Sequence, residues 1–198
     1  MLPPSTPASL RRVVALAAAL NLGFFGLEFA VARTIGSVSL FADSVDFLED
    51  TALNTLVLMA LGWRPGSKAR LGMLLAALLL VPGVATLWTA CHQLLAPVVP
   101  PALPLSSMAL ASLLVNAGCA LMLWRVRHAG GSLSRAAFLS ARNDAWAGIA
   151  ILAAAGLTGL WHSVWPDLAV GLGILALSLD AAREVYRQAR AETARARL

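Results

Sequence analysis

The sequence predicts an all-α integral membrane protein with six transmembrane helices and both termini in the cytoplasm. The first observation behind this is composition: of 198 residues, 59% are hydrophobic and 13% are charged, where a soluble domain carries about 25% charged residues. The mean hydropathy is +0.77. The second observation is the spacing of the apolar runs. A helix needs about 20 apolar residues to cross the hydrocarbon core, and runs at roughly 13–32, 37–62, 71–96, 106–124, 136–160 and 164–182 are each long enough. The third is where the cations lie. The net charge of +5 would suggest nucleic acid in a soluble protein, but here the basic residues cluster in alternate connections.

The first run follows Arg11 and Arg12. It continues well beyond signal-peptide length without a cleavage site, so it reads as a retained helix. Arg64, Lys68 and Arg70 follow the second run, and Arg125, Arg127 and Arg135 surround the gap after the fourth. Between the third and fourth runs, APVVPPALPLSS has no charge, and between the fifth and sixth, WHSVWPD carries one aspartate. Arg33 alone breaks the alternation. The excess of cations marks the cytoplasmic side, which divides the chain into a cytoplasmic segment over 1–12, a membrane domain over 13–182 and a basic cytoplasmic tail over 183–198. Trp63, Trp88, Trp161 and Trp165 stand near run ends, where an indole suits the headgroup layer. Cys91 and Cys119 lie in apolar stretches without a CxxC framework and are expected to pack as small core residues.

Charges inside the runs carry the functional reading. A carboxylate at membrane depth costs about 2.5 to 3.5 kcal/mol even on the lenient insertion scale, and the second run holds Asp43, Asp46, Glu49 and Asp50. At about 100° per residue, Asp43, Asp46, Asp50 and Asn54 share a stripe roughly 80° wide, with Glu49 at or beyond its edge. Like charges so spaced repel, and more strongly in a low dielectric. A bound cation, or protonation during part of a cycle, relieves that repulsion. Arg33 and Arg142 are too few to pair all the acids as salt bridges. In the fifth run Ser140 and Asp144 stack one turn apart, with Asn143 as an adjacent oxygen donor. Asn21 and Glu28 share a face of the first run; Glu28 either lies on an ion or proton path or pairs with Arg33. No Ser/His/Asp set, HExxH, Walker-type loop or redox CxxC is present, so no enzyme is expected.

The segment NLGFFGLEFAVARTIGSVSLFADSVDFLED resembles the first two helices of cation diffusion facilitator transporters, approximately N-x-x-x-F-x-x-E followed by S-x-S-L-x-A-D-x-x-[HD]-x-x-x-D. The matching residues are Asn21, Phe25, Glu28, Ser37, Ser39, Leu40, Ala42, Asp43, Asp46 and Asp50. AAFLSARNDAWAG resembles the family's fifth helix, where an H-x-x-x-D pair completes the site. The resemblance implies Asp46, Asp50 and Asp144 as metal ligands, with Ser140 at the usual histidine position and Asp43, Asn143 and Ser140 in direct contact with the ion or just behind it. Serine in place of imidazole leaves a harder, oxygen-rich set, so zinc, cobalt, cadmium, nickel, manganese and iron(II) all remain open as the transported ion. The implied function is efflux of a divalent cation by proton-coupled alternating access. The compact chain and its arginine-rich, alanine-rich composition suggest a bacterial inner membrane. No permanently bound cofactor and no nucleic acid are expected; the partners are the cation, protons, the bilayer and, on the same scaffold, a second copy of the chain. Family members continue into a cytoplasmic ferredoxin-like domain after the sixth helix, and the sequence ends soon after it, so dimerisation through that domain is not expected. The competing reading is a non-transporting membrane protein that binds metal as a partner of another assembly.

Overall fold

The computed structural model describes residues 7–60, 84, 86–126 and 132–195, and among them every regular element is a helix. These are α1 (Pro7–Ile35), α2 (Val38–Ala60), α3 (helical over 86–95), α4 (Ala102–Val126), α5 (Ser132–Trp161) and α6 (Trp165–Arg195). Among the described residues, three stretches are long and apolar enough to cross a bilayer by length and composition: Ser9–Ile35, Ala102–Val126 and Ser140–Trp161. A shorter apolar helix covers Trp165–Leu177. The chain is therefore an all-α membrane protein. Most of the expected third run, with Trp63, Arg64, Lys68 and Arg70, lies outside the described residues.

The helices overrun the apolar runs at both kinds of end. Hydropathy marks what lipid tolerates, whereas Ala, Arg and Glu prolong a helix into water by propensity, which carries α6 as far as Arg195. Where α1 stops, Gly36 takes a left-handed φ of 72°, which costs glycine no steric penalty. The Ser37 amide then donates back to the Ala32 carbonyl at 3.1 Å, a six-to-one closure of the helix end. Only Gly36 and Ser37 separate α1 from α2, so the two form a tight antiparallel hairpin. Phe24 on Phe47 (centroids 4.9 Å apart) and Phe29 on Phe41 (5.3 Å) fasten it.

Two apolar plugs fill the bundle. One gathers Ala32, Leu40, Phe41, Val45, Leu105, Met108, Ile151, Ala155 and Ile174. The other gathers Leu10, Val14, Ala17, Val57, Cys119, Leu123, Val126, Ala137 and Ala141. Along α1, α2 and α4, the residues between the plugs include buried Asn21, Glu28, Asp46, Asp50, Asn54, Ser112 and Asn116, and Asp43 is buried at the edge of the first plug. The molecule thus has a polar waist between two apolar layers, at the depth where lipid offers no hydrogen bonds. Trp88, Trp161 and Trp165 are exposed, as anchors should be. Cys119 is buried, but Cys91 is exposed, which corrects the expectation of two core cysteines. Its position on α3 turns it outward.

Candidate functional site

Three helices build the site. The register of α2 is set at its first turn, where Ser37 accepts from the Leu40 amide at 3.2 Å as a helix cap. From there one α2 face runs inward through Asp43, Asp46, Asp50 and Asn54, all buried. Across from it, α5 presents Ser140 and Asp144 one turn apart, and α6 presents Val170, Gly173, Ile174, Leu177 and Asp180. Asp46, Glu49, Ser140, Asn143 and Asp144 line a single cleft of about 870 Å³ together with these α6 residues and Trp146, Ala147 and Ala150.

The expected residues divide by position. Asp46, Ser140, Asn143 and Asp144 share the cleft. Asp50 stands behind its lining, next to Ser140 and Asp144. Its Oδ2 accepts from Asn21 Nδ2 at 3.2 Å, and its backbone carbonyl accepts from Asn54 Nδ2 at 2.8 Å. The Cys119 thiol in turn donates to Asn21 Oδ1 at 3.5 Å, so the amide is fixed from both ends. Asp43 is not brought into the cleft; it lies toward α4, where the Ser112 hydroxyl donates to its Oδ2. Asn143 is exposed and accepts from Arg142 Nη2 at 3.2 Å.

Glu28 is fully buried beside Asp43. Arg33 is exposed, so the pairing of these two is not made. Among the described residues, no three His, Cys, Asp or Glu side chains converge as a ready ligand set. That follows from charge. Carboxylates cannot close upon one another in a low dielectric without a counter-charge between them.

Sequence reasoning passed over two residues that organise this region. Ser112 holds Asp43, and Asp167 holds the start of α2: it accepts from the Val38 amide at 2.7 Å, from Ser37 Oγ at 2.6 Å, from Ser39 Oγ, and from the Ser39 amide at 3.4 Å. Among the sequence cues only the solitary acid in WHSVWPD pointed to Asp167, and nothing there named its partners.

Residues 14–192 match the sequence profile of the cation efflux transmembrane domain. The chain belongs to the cation efflux family. Cation efflux proteins are transporters rather than enzymes, and the acidic cleft of this one sits in the helices that the match covers. No curated protein matches the chain.

Proposed function

We propose that this cation efflux protein exports a divalent metal ion from the cytoplasm in exchange for protons, with Asp46, Asp50 and Asp144 touching the ion. The observation that supports this reading is the cleft itself. It gathers Asp46 and Glu49 of α2, Asp144 of α5 and Asp180 of α6, with Asp50 immediately behind, next to Ser140 and Asp144. Each carboxylate at this depth is costly, and a divalent ion among them turns mutual repulsion into attraction. Ser140 and Asn143 add neutral oxygens on the α5 side. Asp43, away from the cleft, adds field rather than a bond to the ion.

The ion binds from the cytoplasmic side when the carboxylates are deprotonated. A change in helix packing then closes that side and opens the other, where protons displace the metal.

The test is metal uptake into proteoliposomes under an imposed pH gradient, across Zn²⁺, Co²⁺, Cd²⁺, Ni²⁺, Mn²⁺ and Fe²⁺. Flux that follows the gradient and is lost in both Asp46→Ala and Asp50→Ala is the expected result. Full activity in folded Asp50→Ala protein would overturn the ligand assignment. Folded wild-type protein that moves none of these ions would overturn the proposal and leave a metal-binding partner as the better account.

A further inference from the structure

Asp167 is buried to within 1% of full enclosure, and it lies apart from the cleft acids: Ser39 and Asp46 are seven residues apart on α2, a helical rise of about 10 Å. Its carboxylate takes four donors at the start of α2, namely the amides of Val38 and Ser39 and the hydroxyls of Ser37 and Ser39. Amides at a helix start carry partial positive charge and are otherwise unpaired, so an anion placed there by another helix is a strong, directional link. One turn further along α6, Gly171 brings the two backbones together. A Cβ at that position would stand 2.7 Å from the Val38 carbonyl carbon and 2.8 Å from the Ser39 nitrogen. Leu168, Val38 and Ala90 pack beside the link as a small apolar cluster of their own.

Further along α6, Gly173, Ile174 and Leu177 line the cleft together with Asp46 and Glu49 of α2. The α2–α6 pair is therefore tied at one end and borders the cleft at the other. By the charge asymmetry of the connections, the tied end faces away from the cytoplasm.

We infer that Asp167 is a positioning residue of the carrier: its bonds to Ser37, Val38 and Ser39 hold α6 against the start of α2 and keep the cation cleft shut on the non-cytoplasmic side. An ion leaving the waist in that direction meets the layer made by Gly171, Leu168 and Val38. Exit requires α6 to lift from the first turn of α2, and the Asp167 bonds are what resist it. Asp167 touches no ion in this scheme; it acts through the backbone of α2.

The inference rests on the alternating-access reading above, so the test is read without metal or pH gradient. In a Cys91→Ser background, a cysteine replaces Val170, which lines the cleft just inside the latch. A membrane-impermeant maleimide is then applied to the non-cytoplasmic face of intact cells. Slow labelling is expected with Asp167 in place, and labelling several-fold faster with Asp167→Asn, which removes the charge but keeps the shape. Gly171→Ala, whose added Cβ wedges α6 off α2, is expected to act in the same direction by a different physical route. It also keeps the test alive should Asp167→Asn fail to fold. A structural role alone predicts lower yield or melting temperature but no change in the sidedness of labelling. Unchanged labelling in folded Asp167→Asn or, where that variant does not fold, in folded Gly171→Ala would overturn the latch. Metal flux with latch-independent labelling would remove this inference only, and latch-dependent labelling without flux would remove the transport proposal only.

Discussion

Asn21 holds Asp50 without being able to bind a cation tightly itself. Its amide donates to one carboxylate oxygen of Asp50 and accepts from Cys119. A hydrogen bond to a charged group is worth about 1.5 to 3 kcal/mol, and 1.4 kcal/mol is tenfold in an equilibrium constant. Asn21→Ala is therefore expected to raise the apparent KM for metal by about tenfold in the proteoliposome assay. Asn54→Ala should leave KM unchanged, because that amide binds the backbone of Asp50 rather than its carboxylate. At this scale the sequence was legible where partners share a helix: the spacing of Asp43, Asp46, Asp50 and Asn54 follows from 3.6 residues per turn. It was silent where partners are distant. Ser112 lies 69 positions from Asp43 and Asp167 lies 130 from Ser37, and no local pattern encodes either meeting.

At the level of helices, close approach is bought with missing side chains. A Cβ on Gly148 would stand 3.2 Å from the Leu113 Cβ and 3.3 Å from its Cα, so α5 seats directly on the backbone of α4. Overpacking a tight contact costs about 1 to 3 kcal/mol, and Gly148→Leu should lower the melting temperature in detergent by several degrees. Gly118, with nothing within 4 Å of a built Cβ, should accept alanine without loss. Helix existence was readable from hydropathy, and the basic tail was legible as a helical extension of α6, which reaches Arg195; the start of α5 was not, because Ser132–Arg135 are helical without being apolar. Nor did apolar periodicity show which helices would wall the cleft. The pairing of α2 with α6 depends on Gly171 at the contact, and a single glycine does not stand out in a lipid-compatible sequence.

For the whole molecule, the arrangement of two apolar plugs around a polar waist was foreshadowed only by the presence of acids where lipid forbids them. The proposed orientation makes a direct statement about sidedness. Epitope tags at the two ends should be digested together by protease added to inverted vesicles and be protected together in intact cells; opposite behaviour of the two tags would overturn the orientation. The short α1–α2 turn has a consequence for how the protein enters its membrane. With four carboxylates, α2 is not among the helices apolar enough to cross on composition, and at about 2.5 to 3.5 kcal/mol per acid it has no favourable route into the bilayer alone. Joined to α1 through Gly36 and Ser37, with Asn21 facing Asp50, it can partition as the trailing arm of a hairpin. The insertion machinery then receives the acidic helix already half-shielded by its predecessor.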